Sequence, residues 1–231
     1  MTPLVWERPE PSTRSALSPL NRDRIVRAAI ALADADGLRA VSLRKVAAAL
    51  DAGPMRLYRY VDTKEELLDL MVDAVYGEVD LPAAGGDWRA GVRSLAHGIR
   101  EAALRHEWFA DLLGGRPQVG PAALAHLEAT LAALRCAPGI GEDPAALMRA
   151  LQAVNGYVLG AVRHEVVELR TERESGLTDR QWQETAGPYL MRLFEAGRYP
   201  TLARVVADGP HDDPAGMFDA GLTVLLAGLA A

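Results

Sequence analysis

The chain has 231 residues, 49% of them hydrophobic and 24% charged, with a net charge of -6. This composition supplies a sizeable core and excludes global disorder. One cysteine, Cys136, rules out an internal disulfide, no Cys/His cluster has zinc spacing, and no run reaches the roughly 20 apolar residues of a membrane-spanning helix.

Ala, Leu and Val dominate and strand-like alternation of β-branched residues is absent, so the pattern predicts an all-α protein. Residues 1–20 read as a flexible N-terminal arm, with Pro3, Pro9, Pro11 and Pro19 among scattered charges. Through Arg8 and Arg14 that arm could lie along a DNA groove, or remain a solvated tail. There is no apolar signal core at this end, so the chain is expected in the cytoplasm.

Residues 21–66 read as a three-helix helix-turn-helix DNA-binding domain. Asn21 is a good N-cap for a first helix with Ile25, Ala28, Ala29, Leu32 and Ala33 on one face, and Gly37 ends it. Ser42 caps a second helix that buries Val46, Ala47 and Leu50. Gly53 permits the turn, and Pro54 suits the first position of a third helix, where its missing N–H is no loss. Thr63 and Glu66 have the spacing of a capping box and open a fourth helix with Leu67, Leu70, Met71, Ala74 and Val75 on its apolar stripe.

Residues 67–231 read as an effector-binding and dimerisation domain, a helical bundle. Helix starts are expected at Asp87, Gly120-Pro121, Asp143-Pro144, Thr178 with Gln181, and Asp213-Pro214. Gly187-Pro188 is expected to kink or split its helix. Leu81 to Gly86 is a loop between the fourth helix and the bundle.

The acidity of the chain is not evenly spread. Between Ser42 and Lys64 the cations Arg44, Lys45, Arg56, Arg59 and Lys64 meet only Asp51 and Asp62. A basic face on an acidic body keeps phosphate attraction local. Leu57 and Val61 face inward from the third helix, leaving Met55, Arg56, Tyr58, Arg59 and Tyr60 around it. Arg44 and Arg56 are assigned to base edges, because a guanidinium pairs bidentately with guanine. Tyr58, Tyr60 and Lys64 suit phosphate oxygens, and Arg59 suits either. Ser42 and Gly53 offer backbone N–H groups at helix starts. Packing of the Tyr58 ring under the turn is a second role for that residue.

On these residues the chain resembles the TetR family of bacterial repressors. Leu57-Tyr58-Arg59-Tyr60-Val61 followed by Lys64, Leu67 and Leu68, with Leu43-Arg44-Lys45-Val46-Ala47 before it, is similar to that family's DNA-binding head. Leu81-Pro82-Ala83-Ala84-Gly85, Trp88, Gly115-Arg116-Pro117, Leu159-Gly160-Ala161-Val162 and Phe218 with Gly221-Leu222 resemble the tetracycline-repressor branch. The departures are Asp51, where many members have Gly, and Tyr60-Val61, where many have His-Phe or His-Val. Positions expected to be polar for a drug–magnesium ligand are apolar or small here, including Leu95, Leu112 and Gly115, so neither tetracycline nor a metal is expected, and no cofactor.

The resemblance implies a homodimer on a palindromic double-stranded DNA operator, released by a small, largely apolar effector. The dimer would use the helices Pro144–Glu168 and Pro214–Leu229, in which Ala and Gly stand beside Leu and Val. The effector cavity would be walled by Leu95, Ile99, Trp108, Leu112, Leu131, Val154, Tyr157 and Val158. His97, Arg116, Gln152, Asn155 and His164 are polar candidates near it. His97, His106 and His126 read as solvent-facing. The same apolar stripes could instead serve one chain's own core.

An enzyme finds no support. There is no phosphate-cradling Gly loop, no nucleophile elbow and no metal-ligand spacing, and the Asp213 of His211-Asp212-Asp213 is better read as a helix cap. The remaining alternative is a ligand-binding helical protein acting as an activator or with no DNA role.

Overall fold

A computed structural model describes residues 3–11, 20–83, 85–115, 117–209 and 213–229. Arg14, Arg116, His211 and Asp212 lie outside the described residues. Those described form eleven α-helices and no strand. The head comprises α1 (Arg22–Asp36), α2 (Leu43–Ala49), α3 (Pro54–Leu57) and the start of α4 (Lys64–Tyr76). The body comprises α5 (Trp88–Arg105), α6 (Glu107–Leu112), α7 (Pro121–Leu134), α8 (Pro144–Ser175), α9 (Asp179–Glu195), α10 (Pro200–Asp208) and α11 (Pro214–Gly228).

Capping chemistry sets these starts. Asn21 Oδ1 accepts from the Arg24 N–H at 2.8 Å, Ser42 Oγ from Lys45 at 3.2 Å and Asp213 Oδ1 from Gly216 at 2.7 Å. Each such bond is worth about 1 kcal/mol. At α4 the box is shifted by one residue. Thr63 Oγ1 accepts from Glu66 at 3.1 Å, but the Glu66 carboxylate reaches back to the Asp62 N–H at 2.8 Å.

Four expectations are corrected. Residues 3–11 are not a free arm: Val5 is buried in the head core and Trp6 packs beside it. Of the kink or split expected at Gly187-Pro188, the split does not occur, since α9 runs through Pro188. That helix stretch is solvent-exposed, so the carbonyl deprived of an N–H can turn to water. The long helix α8 continues past Glu168 to Ser175, where Gly176 supplies a left-handed stop with φ 68°. The third helix is a single turn, continued by turn residues that bring Tyr60 N–H to the Leu57 carbonyl at 2.8 Å.

Helix α4 belongs to both halves. It packs on α1 in the head and on α7 in the body. Its buried Leu67, Leu70, Met71 and Val75 are part of one core that runs from Ile25 and Val46 in the head to Leu95 and Val158 in the body. The 66/67 boundary drawn from the sequence therefore falls inside a helix. In the body, α5, α7 and α8 pack on one another, and α11 lies against α8 and α5. Helices α9 and α10 bury no residue among those described and leave Trp182, Tyr189, Leu202 and Val205 exposed.

Candidate nucleic-acid interface and its link to the body

The head's core fixes what its surface presents. Val46, Ala47, Leu57 and Val61 are fully buried and Leu43 nearly so, so the other positions of α2 and α3 turn outward. Arg44, Lys45, Met55, Arg56, Tyr58, Arg59 and Lys64 are all exposed there, Met55 at 77%. Among the described residues none of these five cations is held by a carboxylate. The contrast with the body is sharp. Arg93 pairs with Asp219, Arg100 with Glu165, Arg170 with Asp111 and Glu107, and Arg173 with Glu107.

Ser42 Oγ is taken as an acceptor by its own helix, leaving its O–H to donate outward. Gly53 is exposed at the start of α3. Tyr60 does not join the exposed set. Its side chain sits in the head core and the residue is 5% exposed, while its carbonyl accepts from Arg22 Nε at 3.2 Å. The reason is the single-turn length of α3: the chain curls after Leu57 and carries Tyr60 inward with Val61. Asp51 occupies the turn between α2 and α3 with φ 50°, the left-handed region that favours glycine. Asp tolerates it better than most residues.

Contacts that sequence reasoning missed join head to body through His106, Trp108 and Asp73. His106, 6% exposed at the α5–α6 junction, places Nδ1 2.8 Å from Asp34 Oδ1 of α1 and Nε2 3.2 Å from Glu78 just beyond α4. Trp108 Nε1 donates to the same Asp34 oxygen at 2.7 Å. Asp73 of α4, buried, accepts from the Ala123 N–H at 2.9 Å and so caps α7 across the helix interface. Burial pushes its carboxyl above the usual range, and the Ala123 and Ala122 N–H groups pull it back only in part. Gly120 leaves room for this cap, since a Cβ there would collide with the Asp73 carboxylate. The nearby Gly120-Pro121 start was legible; a cap supplied from another helix was not.

The effector residues named from the resemblance separate into four groups. Leu95, Ile99, Leu112, Leu131, Val154 and Val158 meet in the body core where α5, α6, α7 and α8 pack. Trp108 sits at the seam with the head. Tyr157 leans on α11, its hydroxyl donating to the Phe218 carbonyl at 2.6 Å and its ring filling the space above Gly221. Gln152, Asn155 and His164 are exposed. The buried stripe of α8 runs through Leu151, Val154, Val158 and Val162, which turns those polar residues outward.

The three histidines read as solvent-facing are instead engaged. His97 lies 3.0 Å from Asp219 and against the Phe218 ring, and His106 is buried as above. His126 sits between the Tyr76 ring, 5.4 Å away, and Leu95. Burial pushes its imidazole below the ordinary value, with a hydrogen bond to the Leu95 backbone pulling the other way. Its Nε2 is buried with no partner.

Among the described residues no group of three or more His, Cys, Asp or Glu could hold a metal, and no helix is long and apolar enough to cross a membrane. Residues 25–71 match the family described as bacterial regulatory proteins, tetR family, and residues 81–231 match the tetracyclin repressor-like C-terminal domain. The chain is 38% identical over 230 residues to the HTH-type transcriptional repressor DrrR1 of Streptomyces coeruleorubidus, covering 98% of this chain and 83% of that one. It is 42% identical over 229 residues to an HTH-type transcriptional regulator of Saccharopolyspora erythraea, covering 98% and 91%. Among solved structures it is similar to the Streptomyces coelicolor protein ActR in complex with actinorhodin, with a TM-score of 0.75 and 29% identity over 92% of this chain and 97% of that one.

Proposed function

The chain belongs to the tetR family of bacterial regulatory proteins, and we propose that it represses transcription in the cytoplasm as a homodimer seated on a palindromic operator. A small, largely apolar effector in the body would release it. The observation that carries the reading is the set of cations on one exposed face of the head that, among the described residues, no carboxylate holds, while Arg93, Arg100, Arg170 and Arg173 of the body are each paired. In the proposed complex Arg44 and Arg56 read base edges in the major groove. Tyr58, Lys64 and the Ser42 and Gly53 N–H groups hold phosphate, and Arg59 serves either.

Two heads are needed because one reads only a few base pairs. The exposed side chains of α8 and α11 support that pairing. Each helix has one buried stripe and a second apolar set left outside, Met148 on α8 and Met217 and Val224 on α11, with Val224 74% exposed. Gly156 and Gly160 on the same outer side of α8 let a second helix approach closely.

Release follows from linkage: an effector frees DNA only by binding the DNA-incompetent form better. Helix α4, anchored to α7 through Asp73 and to the α5–α6 corner near Glu78, is the element whose tilt would change the spacing of paired heads. A coupling of about 1–3 kcal/mol is typical. The small molecule held by ActR supports an effector of that kind here. The bare Nε2 of His126, beside Leu95, supports a ligand that donates one hydrogen bond amid apolar contact.

The test is Arg56→Ala measured on a selected operator and on random duplex. The expected loss is about 1–3 kcal/mol on the operator with relaxed sequence preference. Equal losses on both DNAs would make Arg56 a phosphate clamp only.

A further inference from the structure

The N-terminal segment is fastened to the corner of the head where α3 gives way to α4. Val5 is buried in the hydrophobic core. Arg22, at the start of α1, donates through Nη1 to the Arg8 carbonyl at 2.7 Å and through Nε to the Tyr60 carbonyl at 3.2 Å. One side chain thus ties the segment to the end of the recognition turn. The Arg8 guanidinium gives one terminal nitrogen to Asp62 and the other to Glu66, the latter at 2.5 Å. Its Nε is buried with no partner, so its two charge pairs hold it there.

The two carboxylates bracket Lys64, and the Asp62 side chain is 48% exposed. Left bare, they would place negative charge beside the surface assigned to phosphate, within a screening length of about 10 Å. Arg8 spends a donor of each terminal nitrogen on these carboxylates, and its side chain is only 17% exposed.

We propose that Arg8 is a positioning residue for DNA binding, which raises the head's affinity by offsetting one of the two negative charges of Asp62 and Glu66 and pinning the α3–α4 corner. This rests on the DNA interface described above. It assigns the N-terminal segment to the DNA-binding unit, although no part of the proposed contact surface lies within it.

The test uses the full-length protein and a mixed-sequence DNA duplex at low salt, so that no operator need be known. Arg8→Gln is expected to weaken binding about three- to tenfold, with the gap closing as salt is raised. Arg8→Lys should stay within about twofold of wild type, and Asp62→Asn placed in Arg8→Gln should recover most of the loss. Binding by Arg8→Gln equal to wild type would overturn the proposal. So would a loss that neither salt nor Asp62→Asn reduces, which would mark a packing defect. Asp62→Asn alone takes the summed charge of Arg8, Asp62 and Glu66 from -1 to 0 and should tighten binding severalfold at low salt. A weaker binding by this variant would contradict the proposal. A wild type that binds no duplex at all would remove the DNA interface itself, a different failure from an inert Arg8.

Discussion

Trp108 Nε1 donates a 2.7 Å hydrogen bond to Asp34 Oδ1, so an indole on α6 of the body is fastened to α1 of the DNA-binding head. The same carboxylate meets His106, and the Trp108 ring stands edge-on to Phe109. A residue expected to line an effector cavity therefore also belongs to the joint through which an effector would act. Trp108→Phe keeps an aromatic side chain but removes the donor and part of the buried indole volume. Urea unfolding should show a loss of about 1–3 kcal/mol, the lost bond together with the space left behind. An unchanged midpoint would mean that the joint contributes nothing to the folded state.

Asp73 and Gly120 form the other joint. Asp73→Ala should lower stability by about 1–3 kcal/mol, because the buried N–H groups at the start of α7 lose their acceptor. Asp73→Asn keeps an acceptor without the buried charge and should stay within about 1 kcal/mol of wild type at neutral pH. The sign of the pH effect is set by the raised carboxyl. The folded state holds its proton to higher pH than the unfolded chain, so the Asp73 contribution falls as pH climbs from the ordinary carboxylate range through the folded value. Unfolding curves of wild type and Asp73→Asn at several pH values test this directly: the Asn variant should lack that downward component. Gly120→Ala should be worse than a surface change of the same size, by about 1–3 kcal/mol, since its methyl collides with the cap.

His126 titrates the opposite way. Burial holds its imidazole below the ordinary value, so on acidification the unfolded chain takes up a proton before the folded one does. Stability should therefore fall as pH drops through the ordinary imidazole value of about 6.5 toward the lower folded value. His126→Leu should flatten that part of the profile, and relieve an orphaned buried nitrogen. A wild-type profile that is flat or rises toward acid would contradict the burial of this side chain.

Asp51 carries the left-handed turn between α2 and α3 at φ 50°. Asp51→Gly should raise stability by about 0.5 kcal/mol, the relief of backbone strain less the added freedom of the unfolded chain. Removing a negative charge from the turn should also tighten DNA binding modestly. Thermal melting and a duplex titration check the two effects separately.

Much of the fold was legible because it rests on local chemistry. Asn21, Ser42, Thr63, Asp87, Asp143, Thr178 and Asp213 each start the helix their side chains predicted. The exposed cations of α2 and α3 followed from period and charge alone. What escaped was non-local. No pattern in the sequence sets Asp73 beside Gly120, which stands 47 positions away, or brings Arg8 to Glu66. The histidines were misread because a ring on a polar-looking helix side can be buried by another helix, as α11 covers His97 and α1 covers His106. Helix α10 was missed although Pro200 opens it and Leu202, Val205 and Val206 carry helical spacing. Tyr60 was assigned outward because α3 was taken as longer than its single turn.

The central claim is two chains on one twofold-symmetric duplex. Sedimentation of the protein with the strongest binder recovered from a random DNA pool tests it most directly. The account predicts a palindromic site and a complex of two chains per duplex, weakened steeply by salt. One chain per duplex, or a recovered pool with no symmetric sequence, would contradict it.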